Sequence, residues 1–196
     1  MKEQKKTKER ILEESLKLFS VNGFDAVSIR TIADAVGIGN SALYKHFKSK
    51  QEIFDTIVEV SKERYIGQCS TVVSSQIRGV EDVKKACIEM FRFQTGDEWT
   101  MMFRKMLMIE QFRNPQAEVL YKEFFIDIPL QRQQQIFKAL IKEGLMKEKD
   151  PEVLSMELYA PFYMYHTVKR NPKELERLFE KHAEYFFNNY VVTQLY

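Results

Sequence analysis

Three residue patterns in this chain have types and spacings that chemistry can use. Gly37, Gly39 and Ala42 follow the apolar run "IADAV" as G-x-G-x-x-A. That is the spacing with which a tight turn presents backbone N–H groups and a helix start to a dinucleotide pyrophosphate. Glu59 lies at a suitable distance along the chain to take a ribose hydroxyl. Tyr44 and Lys48 form Y-x-x-x-K, a proton-donor pair that dehydrogenases use. His46, His166 and His182 are the histidines, and Cys69 and Cys87 the thiols, that could ligate a metal or serve a nucleophile.

None of these survives a look at the elements that must carry it. A dinucleotide turn needs a strand that ends at its first glycine. Ile29, Ile32, Ala33 and Val36 instead form the i, i+3, i+4, i+7 stripe of a helix, with Arg30, Thr31 and Asp34 on the other side. The segment holding Glu59 opens with Ser49 and Glu52, the S-x-x-E box that starts a helix. Without a sheet or a cofactor loop the Tyr44 and Lys48 pair has nothing to act on. The histidines fall in no H-E-x-x-H pattern and the cysteines in no metal spacing. The expectation is no enzyme, no cofactor, no metal and two reduced thiols.

The remaining chain is punctuated helix. Ile11, Leu12, Ser15, Leu16, Leu18 and Phe19 share one face from Thr7 onward, and Gly23 suits a left-handed cap. Ser28 caps the short segment ending at Gly37. A long helix starts near Lys50 and runs to about Gln76. Further helical segments are expected over Val80 to Thr95, Asp97 to Arg113, Gln116 to Ile126, Leu130 to Glu143, Glu152 to Lys169 and Lys173 to Val192. Gly79, Gly96, Pro115, Pro129, Gly144, Pro151 and Pro172 stand at their ends. No strand run, repeat or low-complexity tract interrupts them, so the fold class is all-α with nine or ten helices.

Composition agrees: 196 residues, 44% hydrophobic and 30% charged, with 7 Gly and 5 Pro, suit a helix-rich globular chain. No apolar run approaches the ~20 residues of a membrane span, and "MKEQKKTKER" lacks the apolar core of a signal peptide. A cytoplasmic location without membrane contact is expected. The net charge of +2 is unevenly spread. Residues 1–50 hold ten Lys and Arg against six Asp and Glu, and the remainder holds twenty against twenty-two. A basic front on a slightly acidic body suits a polyanion partner.

"GIGN" is the glycine-containing turn that two short helices need when they cross steeply. Ile38 can plug the small core shared with Ile32, Leu43 and Phe47. The second helix then turns Asn40, Ser41, Tyr44, Lys45 and His46 outward. Small residues near its start allow a deep seat in a major groove, while Tyr, Lys and His supply donors. A helix-turn-helix is a generic shape, so a helical hairpin or a protein-interaction module that touches no DNA stands beside this reading.

The run "ILEESLKLFSVNGFDAVSIRTIADAVGIGNSALYKHFKSKQEIF" strongly resembles the amino-terminal domain of the TetR family of transcriptional regulators, over about the first 55 residues. The resemblance implies a helix-turn-helix DNA-binding domain over residues 1–48 and a helical ligand-binding and dimerisation domain over 49–196. It assigns Ser28 and Arg30 to phosphate contacts and Asn40, Ser41, Tyr44, Lys45 and His46 to the recognition helix. Lys50 would meet backbone phosphate, aided by the helix dipole. One departure is Gly39, where many relatives carry a Ser cap. The partners implied are a palindromic double-stranded operator, a small-molecule effector and a second copy of the chain. The function implied is a repressor released from its operator by a small, largely apolar molecule.

The body is rich in aromatics and methionine, which suits core packing and also an adaptable cavity. Trp99, Phe103, Met106 and Glu110 follow one helical face at steps of four, three and four. With Phe91, Tyr121, Phe125, Tyr163 and His166 they are the candidate wall of a ligand site. Glu110 or His166 could orient a ligand or make a structural hydrogen bond. In the last two helices, Leu154, Leu158, Tyr159 and Phe162, with Leu175, Leu178, Phe179, His182, Ala183, Phe186, Phe187 and Tyr190, form a wide apolar face. A four-helix interface across a two-fold axis would bury it.

Overall fold

The computed structural model describes the backbone of residues 2–74, 79–166 and 171–192, and the side chains of 6–68, 79–165 and 171–192. The described residues are helical throughout, with no strand beyond one isolated antiparallel bridge between Met146 and Val191. They fall into two compact units: residues 1–66 with 98–121, and residues 67–97 with 122–196.

In the first unit, α1 (Lys2–Asn22) packs on α2 (Ile29–Val36) and α6 (Glu98–Glu110), and α2 packs on α3 (Asn40–Tyr44). The stripe expected on α1 is its core face: Ile11, Leu12, Ser15, Leu16 and Phe19 are buried. Gly23 ends α1 with φ +80, and its N–H donates to the Phe19 carbonyl at 3.0 Å. That is the left-handed cap that glycine adopts without a Cβ penalty. Ile53, Phe54, Ile57 and Val58 bury one face of the first part of α4 (Lys50–Ser74). Its N-terminal box forms: Glu52 N–H donates to Ser49 Oγ at 3.1 Å, and the Glu52 carboxylate reaches back to the Lys48 N–H. Positions 75 and 76 of the helix expected up to Gln76 lie outside the described residues.

The second unit holds α5 (Val80–Gly96), α8 (Ile128–Lys142), α9 (Pro151–His166) and α10 (Pro172–Tyr190). Its core is aromatic. Phe91 stacks on Phe179 with ring centroids 4.3 Å apart, and both meet Phe162 edge-on. Residues 167–169 of the expected helix up to Lys169 lie outside the described residues.

One proline departs from its expected role, and a second stands inside a helix expected to span it. Pro129 was expected to separate two helices, but α7 (Pro115–Lys122) runs through one π-helical turn (Glu123–Asp127) directly into α8. Pro161 lies inside α9. A proline offers no N–H to the carbonyl four residues earlier, and in each case a neighbouring side chain serves that carbonyl. Tyr159 Oη donates to the Phe125 carbonyl at 2.6 Å. His182 Nε2 lies 3.1 Å from the Glu157 carbonyl, as the donor of that pair. Tyr190 Oη donates to Glu157 Oε2 at 2.7 Å, and this carboxylate raises the Tyr190 hydroxyl above its ordinary value.

Candidate nucleic-acid interface

The reading head is built from caps. Ser28 stands in extended conformation before α2, and its Oγ accepts the Thr31 N–H at 3.0 Å, as expected of it. At the other end Gly37 takes φ +77, and the Ile38 N–H returns to the Ala33 carbonyl at 3.0 Å, a Schellman closure. Gly37 is therefore a helix C-cap, and the G-x-G-x-x-A pattern has no strand before it. Arg10 reaches across from α1 and donates to the Val36 carbonyl at 2.6 Å, which pins this end of α2.

Gly39 is the N-cap of α3, in extended conformation and with no side-chain cap hydrogen bond. Leu43 and Phe47 are buried together, Ile38 is half-buried, and Lys8 lies over the Phe47 ring at 5.1 Å. Regular helix stops at Tyr44, and Lys45 and His46 occupy the turn that continues it. Asn40, Ser41, Tyr44 and Lys45 are exposed and His46 is half-buried, so all five share the short segment expected to face outward. Ser28 is exposed, as is Arg30, whose side chain is 82% accessible and stands 4.0 Å from Asp34.

Lys50 is different. Its ammonium donates to the carbonyls of Phe24 at 2.7 Å, Val27 at 2.9 Å and Asp25 at 3.4 Å, and it lies 4.2 Å from the centroid of the Phe24 ring. The side chain that the resemblance assigns to phosphate thus has its three donors on three carbonyls of the α1–α2 link.

Residues 11–57 match the sequence family described as bacterial regulatory proteins, tetR family. The regulator AcrR of Shigella flexneri is 36% identical over 77 residues, which cover 39% of this chain and 35% of AcrR. The nucleoid occlusion factor SlmA of Sodalis glossinidius is 26% identical over 167 residues, or 82% of this chain and 83% of SlmA. Among solved structures, SmeT of Stenotrophomonas maltophilia in complex with triclosan has the same fold. Its TM-score is 0.70 at 22% identity, over 97% of this chain and 94% of SmeT. Residues 11–57 thus carry the amino-terminal domain of TetR-family regulators, and the relatives support a TetR-family transcriptional regulator.

TetR-family proteins are transcriptional regulators and not enzymes, which disposes of the Tyr44 and Lys48 pair as a catalytic element. The nine candidate ligand residues are divided between the compact units. Trp99, Phe103, Met106, Glu110 and Tyr121 belong to the first, and Phe91, Phe125, Tyr163 and His166 to the second. Phe103, Met106 and Glu110 are buried on one face of α6, as their spacing predicts. Trp99 is half-buried, and its Nε1 donates to Ser61 Oγ at 2.8 Å while Arg64 lies over the ring. Glu110 takes its structural option: Oε1 accepts the Phe24 N–H at 2.9 Å, and Oε2 lies 3.8 Å from Arg113 Nε. Tyr121 and Phe125 are buried, Phe91 is part of the aromatic stack, and Tyr163 is 49% exposed. His166 closes α9, and its side chain lies outside the described residues.

Much of the apolar face expected to pair with a second copy is interior. Leu154, Leu158, Tyr159, Phe162, Leu175, Phe179, Ala183, Phe186 and Phe187 are buried in the protomer's own core. The apolar side chains left outside are Val153, Met156, Tyr163 and Met164 on α9 and Tyr185 on α10. Residues 153, 156 and 163, with exposed Ala160 between them, recur at helical steps and form a stripe. Periodicity alone could not separate this stripe from the buried one, because α9 is apolar on nearly all sides.

Proposed function

We propose that this chain is a dimeric transcriptional regulator that binds a palindromic operator and is released by a small, largely apolar effector, hence a repressor. The observation that carries it is the reading head. A capped α2, a glycine turn and a short α3 present Asn40, Ser41, Tyr44 and Lys45 on exposed surface beside Arg30 and Ser28. Such a segment fits a major groove, with the caps fixing its angle and Lys45, Arg30 and Ser28 available to phosphate. In this reading residues 1–48 bind DNA, residues 49–196 bind effector and partner copy, and the protein works in the cytoplasm. Among the described residues no helix is long and apolar enough to cross a membrane.

The α9 stripe of Val153, Met156, Ala160 and Tyr163 supports a second copy as partner, since a two-fold pairing of such helices covers both stripes at once. Two heads so paired would meet two half-sites. The aromatic and methionine side chains of α6, with the triclosan-bound SmeT as a structural relative, support an apolar effector. Effector binding would favour a head spacing that fits the operator poorly, so effector and DNA weaken each other.

The test is selection of bound sites from a random duplex pool. A palindrome should be enriched, retention should fall with salt, and Lys45→Ala should reduce the salt slope by about one. No retained duplex would favour the protein-interaction module instead.

A further inference from the structure

The contacts of one residue stand apart from the rest of the head. After Gly23 the chain enters the link to α2, and Phe24 is held there on every side. Its N–H donates to Glu110 Oε1, on the last residue of α6, at 2.9 Å. Its carbonyl accepts from Lys50 Nζ, on the first residue of α4, at 2.7 Å. Its ring lies between Phe19 of α1 and Phe54 of α4, with centroids 5.3 and 5.4 Å away. Lys50 also reaches the Val27 carbonyl, one residue before the Ser28 cap. Glu110 is 1% exposed, so its carboxylate is a buried acceptor serving a main-chain donor 86 residues away in sequence. Gly23 completes the arrangement: a Cβ there would stand 2.6 Å from Glu110 Oε1 and within 4 Å of Arg113 and Ile109.

We propose that the Phe24 main chain is the joint through which α6 and α4 set the angle of the reading head, with Glu110 and Lys50 as its positioning residues. The inference rests on the DNA-binding reading above. The link is short, and α2 follows it at once. A displacement of the α6 end therefore reaches the Ser28 cap through one hydrogen bond, and the Lys50 side chain fixes where α4 stands during it. Arg10 on the Val36 carbonyl holds the far end of α2 to α1, so a shift at the joint tilts the helix about that end. Neither residue needs to touch DNA for the head to lose its fit to an operator.

The test compares the selected operator with an unrelated duplex for the full-length chain and its Glu110→Ala, Glu110→Gln and Lys50→Met variants. Glu110→Ala and Lys50→Met should each bind the operator about tenfold more weakly and keep unrelated-duplex affinity within about twofold, with salt slopes unchanged. Glu110→Gln keeps an oxygen acceptor for the Phe24 N–H and should recover to within about threefold of wild type. Hydrogen exchange at the Phe24 amide should quicken in Glu110→Ala, a readout independent of any DNA. An unaltered Phe24 amide, or an equal loss on both duplexes, overturns the joint. A salt slope lowered by about one in Lys50→Met assigns that side chain to phosphate and overturns its positioning role. Wild-type chain that retains no duplex defeats the regulator reading itself, whereas normal operator binding by Glu110→Ala defeats the joint alone.

Discussion

Replacing Gly23 by alanine tests the joint with a magnitude that can be worked from its surroundings. Gly23 holds φ +80, where any other L-residue is strained by about 1–2 kcal/mol. The added Cβ would also meet Glu110 Oε1 at 2.6 Å, closer than the two atoms can stand. Glu110 must swing away and release the Phe24 N–H, at a cost of about 1.5–3 kcal/mol for a hydrogen bond to a charged group. The expected destabilisation is thus about 2.5–5 kcal/mol. Gly37 is the matched control: its φ is +77, and a Cβ there meets nothing within 4 Å, so Gly37→Ala should cost only about 1–2 kcal/mol. Urea unfolding followed by the single tryptophan, Trp99 on α6 of the same unit, reads both. In the Gly23→Ala, Glu110→Ala double variant the carboxylate is absent and cannot clash. The two costs should therefore fall short of additivity by about 1.5–3 kcal/mol. Equal losses for Gly23→Ala and Gly37→Ala, together with additivity in the double variant, would refute the reasoning.

Two further outcomes follow from the second unit. Burial pushes the Cys87 thiol up to about 12, against the pull of Arg132, although the residue as a whole is only half-buried. The folded form thus keeps its proton where the unfolded chain, with an ordinary thiol near pH 8.5, releases it. The contribution to stability is full below about pH 8.5 and declines as pH rises towards 12. In a Cys69→Ser background, alkylation of native Cys87 at pH 8.5 should run at least about tenfold slower than after urea, and equal rates would contradict the burial. Tyr159→Phe removes the hydroxyl that serves the Phe125 carbonyl above Pro129, and it should cost about 1–3 kcal/mol in thermal or urea unfolding. A cost near zero would show that this carbonyl needs no such donor.

Most of the head was legible because its signals are local. Ser28, Gly37, Ser49 and Glu52 act within four residues of their own positions, so a cap or a box can be named from spacing alone. Buried faces of α1, α2 and α6 follow from helical period for the same reason. What stayed hidden is contact between residues far apart in sequence. Arg10 reads as one more polar residue opposite an apolar stripe, yet it caps α2 from 26 residues away. Lys50 is assigned to phosphate by the resemblance; only the fold brings the Phe24, Asp25 and Val27 carbonyls to its ammonium. Glu110 shares its helical face with Trp99, Phe103 and Met106, so a structural hydrogen bond could be expected of it but not its partner, because the Phe24 N–H belongs to another segment.

Pro129 shows the same limit acting on secondary structure itself. A proline in a helix removes one N–H, and a break is the natural expectation where the orphaned carbonyl has no other donor. That condition cannot be evaluated from the helix's own sequence, because the donor lies on a different helix. Pro129 leaves the Phe125 carbonyl to Tyr159 of α9, and Pro161 leaves the Glu157 carbonyl to His182 of α10. The chain accommodates the first with a π-helical turn and the second within continuous α-helix. The substitutions that would turn each proline back into a breaker therefore lie at Tyr159 and His182, on the neighbouring helices. The packing of α8, α9 and α10 in turn depends on polar tips that an apolar periodicity counts as part of its stripe. Tyr159 and His182 were both assigned to a dimer face on that periodicity. Their hydrogen bonds tie them to neighbouring helices of the same chain, while Val153, Met156 and Tyr163 of α9 stay exposed.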